Sequence, residues 1–294
     1  MKKLLLPLIS FVLVLFLAAC NQTAAPVSDD SNSGEKKTKT EEKKAELTLK
    51  EVYEKSAKAT ENLKSMHSSM KMNQEMTMPG EEGTIEMESA IDSTMVMEPL
   101  AIHQKMDMSM VADGATGPME NMETESYLTE DGFFMKDNMQ NKWVKMPKEY
   151  SEQILQMSNA QTDPSQQLKD LEPFMDDFTF EQDDNHYILT LDAEGDKFNE
   201  LLESTMKEVM PEMLQGQEEI LQNMQFDKVQ YEIFISKDTF YTTKLNSVMD
   251  MTMKIEDNEM KTKTTLESDF DQFNKVNEIK VPKEIVETAE EISL

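Results

Sequence analysis

Methionine is the residue type whose abundance and spacing most suggest a chemical role. The chain has 27 methionines among 294 residues, and many recur at every second position. The runs are Met70-x-Met72, Met76-x-Met78, Met95-x-Met97, Met106-x-Met108-x-Met110 and Met249-x-Met251-x-Met253. Because alternate side chains of a β-strand point to the same face, this spacing predicts strands with thioethers along one face.

Three interpretations of such a face are open. The methionines could fill an ordinary core, form a deformable lining for a variable apolar ligand, or bind Cu(I) through their thioethers. No His or Cys is interleaved with them, which disfavours the copper site. If a ligand binds, we expect its lining to include Met87, Ile91, Met95, Ile102, Met106, Met108, Met249 and Met251.

Residues that could catalyse a reaction are nearly absent. His67, His103 and His186 stand on separate predicted elements, and no G-x-S-x-G, H-E-x-x-H or glycine-rich phosphate motif occurs. Acidic pairs such as Glu81-Glu82 lie in predicted turns without the ligand spacing of an EF-hand, so we interpret them as solvated charge. We therefore predict that the protein is not an enzyme and carries no cofactor or metal.

Cys20 is the only cysteine, and the sequence before it predicts a lipid attachment. Two lysines precede an apolar run, Leu4 to Leu17, which is too short to cross a bilayer, since roughly 20 residues are needed. This pattern is typical of a secretory signal peptide. The following Leu-Ala-Ala-Cys resembles the lipobox of bacterial lipoproteins, and that resemblance implies cleavage between Ala19 and Cys20 and acylation of the Cys20 thiol.

The composition limits the partners. The formal net charge is −29 and there is no arginine, which disfavours nucleic acid, because phosphate binding needs dense basic patches. Docking onto anionic lipid headgroups is disfavoured for the same reason. We therefore expect contact with the extracytoplasmic face of the cell membrane through the lipid on Cys20. The composition leaves the oligomeric state open.

The chain divides into three predicted segments. Residues 1–19 are the signal peptide. Residues 20–46 begin with the acylated cysteine and have almost no apolar side chains, so we expect a disordered polar tether. Residues 47–294 are expected to form a single domain, which begins with a helix because Thr48 to Glu51 has the form of a capping box.

From Ser68 onward the apolar period changes from helical to two, and turn residues separate the predicted strands. Helical spacing returns in two segments, Tyr150–Met175 and Phe198–Met224, and a short helix follows Pro282. We predict an α+β fold, in which a strongly curved antiparallel sheet of about ten strands forms a half-open β-barrel and helices cover its concave face.

The mature chain also resembles a known type of protein, and the likeness covers about residues 46–294. The lipobox, the polar tether, the first helix, the methionine-rich meanders and the closing segment from Phe270 to Pro282 are similar to a family of Gram-positive lipoproteins of unassigned function. These are in turn similar to the LolA, LppX and LprG group of lipoprotein carriers. The resemblance implies an apolar cavity that holds acyl chains, and no catalytic residues.

We therefore expect a membrane-anchored protein whose concave sheet face binds a lipid or another hydrophobic molecule. One alternative is a surface interaction protein with a filled core, which presents an acidic face to a partner. The other alternative is a Cu(I)-binding protein.

Overall fold

The structure is a computed structural model that describes residues 24–26, 47–77, 83–113, 119–138, 140–148, 151, 172–195, 198–199, 223–255 and 258–292. Most of these residues belong to the strands of one sheet, and within these ranges there are two α-helices. The described part of the fold is therefore mostly β and contains the predicted large curved sheet, whereas helices over its concave face are not shown among these residues.

The helix α1 spans Leu49–Glu61 and confirms the predicted capping box. The Thr48 backbone N–H donates to Glu51 Oε2 at 2.8 Å, and the Glu51 backbone N–H donates to Thr48 Oγ1 at 3.2 Å. These bonds satisfy two of the backbone donors that every helix start leaves free.

The sheet contains thirteen described strands. They are β1 (Ala25–Pro26), β2 (Ser65–Thr77), β3 (Thr84–Met97), β4 (Leu100–Ala112), β5 (Met119–Thr129), β6 (Gly132–Asp137), β7 (Lys142–Lys145), β8 (Phe178–Gln182), β9 (His186–Glu194), β10 (Met224–Ser236), β11 (Thr242–Ile255), β12 (Asn258–Asp271) and β13 (Glu290–Glu291). A 3₁₀-helix, Glu172–Asp177, precedes β8, and the helix α2, Lys283–Thr288, precedes β13.

The strand order is β1-β8-β9-β10-β11-β12-β2-β3-β4-β5-β6-β7-β13. Two antiparallel meanders, β2–β7 and β8–β12, join through the antiparallel pair β12–β2, where Leu266 lies opposite Met72. Because the order has two free ends, the curved sheet is open and does not close into a barrel.

At one edge, β1 pairs in parallel with β8. Gln182 Nε2 donates to the Ala24 carbonyl at 3.2 Å, and the Ala24 side chain is 5% exposed in the core beside α1. This packing at residues 24–26 differs from the expected wholly disordered tether, whose other residues lie outside the described ranges.

At the other edge, β13 pairs in parallel with β7. In the segment before β13, Val281 and Ile285 pack against Tyr127 and Phe134. The short helix expected after Pro282 is confirmed, but it ends at Thr288, before β13 begins.

The largest core lies between α1 and strands β8, β9 and β10. Leu49 and Val52 of α1 pack there with Phe174, Phe178, Phe180, Leu189, Leu191, Ile233 and Ile235. The predicted helices at Tyr150–Met175 and Phe198–Met224 lie mostly outside the described residues. The described end of the first segment is the 3₁₀-helix Glu172–Asp177. At the end of the second segment, Met224 belongs to β10, where it pairs with Met253 of β11.

After β9 the chain passes close to the start of β10. Asn199 Oδ1 accepts a hydrogen bond from the Phe226 backbone N–H at 2.9 Å. A Cβ atom on Gly195 would lie only 1.5 Å from the Phe226 carbonyl oxygen, so this approach requires glycine.

Candidate functional site

The two faces of the sheet differ sharply in charge. In the five central strands, β11, β12, β2, β3 and β4, the register leaves one face without any Asp, Glu, Lys or His. We call this surface the apolar face. Its methionines are Met66, Met70, Met72, Met76, Met87, Met95, Met97, Met106, Met108, Met110, Met249, Met251, Met253 and Met260. The opposite surface, the polar face, carries the charged residues of the same strands.

All eight residues expected to line a ligand lie on the apolar face. They are Met87, Ile91, Met95, Ile102, Met106, Met108, Met249 and Met251. One row of paired residues shows how the strands bring them together, because it runs through Met249, Thr264, Gln74, Met87 and Met110. The alternation in the sequence thus predicted correctly which side chains share a face.

Described elements cover the apolar side of the sheet at one end only. α1 packs over β8 to β10, and the ring of Phe198 lies 5.3 Å from Phe226 and 6.3 Å from Tyr231, between centroids. Every methionine of the apolar face is half-buried, and Met122 of β5, opposite Met108, is 55% exposed. With strands about 4.8 Å apart and a rise of about 3.4 Å per residue, the face measures about 19 Å by 40 Å.

Uncharged polar side chains occur along the apolar face, among them Gln74, Thr264 and the buried Thr262, unpartnered within the described ranges, and two serines stand near its covered end. Tyr231 of β10 lies opposite Ser247 of β11, and Ser247 lies opposite Leu266 of β12. Ser268 is two residues further along β12, on the same face, and is therefore diagonal to Ser247. Ser247 and Ser268 are 3% and 1% exposed, and within the described part of the chain neither hydroxyl has a hydrogen-bond partner. Burial raises the pKa of Tyr231, whose hydroxyl lies 4.0 Å from Met249 Sδ.

On the polar face, His67 bridges two carboxylates from neighbouring strands. Its Nδ1 lies 2.6 Å from Asp271 Oδ1 of β12, and its Nε2 lies 3.0 Å from Asp92 Oδ2 of β3. Burial pulls the pKa of His67 down, but hydrogen bonds to Asp92 and Asp271 and their negative charges outweigh it and raise the pKa. The sequence predicts that this histidine lies on a strand face, but no local pattern indicates its partners, which are 25 and 204 residues away.

A second polar group surrounds Glu125 on the same face. His103 Nε2 and the Tyr127 hydroxyl lie 2.9 and 3.3 Å from Glu125 Oε1, and the His103 and Tyr127 rings stack at 4.3 Å. Burial, reinforced by the adjacent carboxylate, raises the pKa of Tyr127 to about 12. Because Tyr127 also packs in the core beneath α2, we interpret this arrangement as structural.

Beneath the C-terminal segment lies a separate cleft of about 570 Å³. Val96, Leu100, Thr129, Ile279 and Val281 are among the residues that line it. The sequence did not predict this cleft, because it forms only where three segments distant in sequence meet.

The described residues contain neither a cluster suited to a metal ion nor a helix suited to crossing a membrane. Among the described residues, no three His, Cys, Asp or Glu side chains are grouped so that they could hold a metal ion. Over the same ranges, no helix has the length and apolarity needed to cross a membrane. Ala19 and Cys20, the predicted cleavage and lipid sites, lie outside the described residues.

Fold and site together define a protein with an open, mainly antiparallel sheet, whose five central strands have one uncharged face lined by methionines. The chain belongs to the family of unknown function DUF6612, whose model matches residues 48–290. This membership agrees with the resemblance to a family of unassigned function, whereas the similarity to the LolA, LppX and LprG carriers stays a prediction. No curated protein matches the chain.

Several solved structures have a weak similarity to the chain. A structure of lipid–protein interactions in lipovitellin is 7% identical with a TM-score of 0.31 and covers 74% of this chain, which spans only 26% of that one. A β-barrel-like DUF1849 protein from Brucella abortus is 9% identical with a TM-score of 0.20, and the match covers 71% of this chain and 99% of that one. A DUF1329 family protein from Desulfovibrio piger is 9% identical with a TM-score of 0.21, and the match covers 78% and 95% of the two chains. At these TM-scores, none of the three defines the fold or the ligand of this protein.

Proposed function

We propose that this protein is an extracytoplasmic lipoprotein, anchored by a lipid on Cys20, that binds a lipid or another hydrophobic molecule on the apolar face. The observation that carries the proposal is the uncharged, methionine-lined surface of five strands, which described elements cover at one end only. Exposed apolar area costs about 25 cal/mol per Å² relative to burial, so such a surface favours a hydrophobic ligand.

Methionine suits a ligand of variable shape. Its side chain is unbranched, has three rotatable bonds and ends in a polarizable sulfur, so a face built from it can adjust to different chains. A surface of Val and Ile would be stiffer, because β-branched side chains are restricted at χ1. The composition of the face thus supports an adaptable binding surface, with no reaction assigned to it.

The anchor would hold the binding surface close to the membrane. Ala24 packs into the domain core, and only the three residues 21–23 separate it from Cys20. Since an extended chain spans at most about 3.6 Å per residue, the lipid on Cys20 would attach within about 14 Å of the β8 edge. Acyl chains on one cysteine can supply stable anchoring if two or more are present.

Native mass spectrometry of the chain starting at Asn21, followed by organic extraction, tests the binding proposal. We expect a co-purifying hydrophobic species, and we expect a fluorescent apolar probe such as Nile red to bind the stripped protein. A protein that carries nothing and does not bind the probe would instead support the surface interaction protein with a filled core. Specific binding of Cu(I) in a titration, without binding of the probe, would support the copper protein.

A further inference from the structure

We propose that the apolar face selects an uncharged lipid that contains ester or hydroxyl oxygens, over both a pure hydrocarbon and an ionised fatty acid. This inference rests on the proposed function and specifies the ligand class. The polar contacts would come from Ser247 and Ser268, with the Tyr231 hydroxyl beside them.

The first support is the state of the two serine hydroxyls. Both side chains are more than nine-tenths buried, and within the described residues neither oxygen has a hydrogen-bond partner. Native proteins satisfy the large majority of their buried polar groups, so each orphan needs an explanation. A ligand oxygen that accepts from these hydroxyls would supply the missing partner, which a hydrocarbon cannot do.

The second support is where the hydroxyls lie. Ser247 is opposite Leu266 and Ser268 is opposite Leu245, so the two serines occupy adjacent strands at the border between the part covered by α1 and the half-buried methionines. An acyl chain could therefore lie over the methionines of β2 to β4 while its polar end reaches the serines. This geometry fits an amphiphile with one small polar end.

The third support is the absence of charge. No Lys or His stands on the apolar face of the five central strands, and Lys261 and Lys263 of β12 lie on the polar face. An ionised carboxylate bound there would lose its hydration and gain no positively charged partner, which is strongly unfavourable. An ester or a hydroxyl carries no such penalty, so the face discriminates by the charge of the polar end.

The test is displacement of Nile red from the chain starting at Asn21 by three competitors: dioleoylglycerol, squalene and oleate at pH 9. We expect dioleoylglycerol to displace the probe at about tenfold lower concentration than the other two, as one or two net hydrogen bonds would give. The double variant Ser247→Ala/Ser268→Ala should lose this advantage and leave displacement by squalene unchanged.

Matched variants separate selectivity from folding. Ser69→Ala, on an exposed position of the polar face opposite Asp92, should change nothing. Ser268→Thr keeps a hydroxyl and should keep the preference for dioleoylglycerol. A variant that had lost its fold would show no such preference.

Three results would overturn the inference. Dioleoylglycerol and squalene could displace the probe equally, with no effect of the double variant. This result would mean that water molecules bond the serine hydroxyls, while the face still binds hydrophobic molecules. A preference for oleate would contradict the charge argument. If Nile red does not bind the wild-type protein at all, the proposed function fails together with the inference.

Discussion

A charge placed in the middle of the apolar face should abolish ligand binding without unfolding the protein. Met106 of β4 is half-buried and lies between Ile91 of β3 and Thr124 of β5. In the Met106→Asp variant, a bound hydrophobic molecule would have to remove the new carboxylate from water. No cation on this face of the five central strands could neutralise it.

The size of the effect follows from the open geometry of the face. An acyl chain lying on a surface loses about half of its water contact, so each CH₂ contributes about 0.4 kcal/mol, half of the value for full burial. Sixteen such groups give about 6 kcal/mol of transfer free energy, from which the cost of association must be subtracted. Burying an unpaired carboxylate costs several kcal/mol, and about 3 kcal/mol is enough to weaken binding more than 100-fold.

The assay is a Nile red titration of Met106→Asp beside a matched control, Thr94→Asp. Thr94 lies half-buried on the polar face between His67 and His103, so a carboxylate there does not enter the apolar face and binding should remain at the wild-type level. Thermal unfolding of both variants checks the fold, and we expect Met106→Asp to lose about 1–2 kcal/mol from reduced apolar burial. Unchanged probe affinity in folded Met106→Asp, or an equal loss in Thr94→Asp, would refute the assignment of the site to the apolar face.

Four further changes test the anchor and the fold. Cys20→Ala should leave an uncleaved precursor or release the protein, as membrane fractionation and intact mass will show, and unchanged processing and partition would disprove the anchor. A chain starting at residue 27 should melt about 2–4 °C below one starting at Asn21, because it loses the buried Ala24, and equal melting would show that this contact contributes nothing. His67→Gln should lower the free energy of unfolding more at pH 5.5 than at pH 9. The pKa of His67 is raised in the folded state, so its contribution to stability is complete below about pH 6.5 and is lost as the pH rises through the folded-state pKa. Denaturant titrations at both pH values measure the effect, and an equal loss of stability at both would contradict the charged bridge. Gly195→Ala should cost more than about 3 kcal/mol in the same titration, because the Phe226 carbonyl occupies the space of the new Cβ, and a loss below 1 kcal/mol would show that the strands can separate there.

The sequence by itself was sufficient for the local features of the domain. The capping box at Thr48, most strand periods and the shared face of the eight named residues were predicted correctly, because each depends on residues close together in the chain. Alternation with a period of two assigns every residue of a strand to a face before any neighbouring strand is known. The lipid site at Cys20 is likewise a local pattern, and it stays a prediction.

Only the tertiary structure decided which strands are neighbours and where the polar groups meet. The pairing of β12 with β2 joins the two meanders into one sheet, and it places Asp271 beside His67. The two orphan serines become adjacent only through the register of β11 with β12. Strand order and register depend on contacts between residues far apart in the chain, and no local period contains that information.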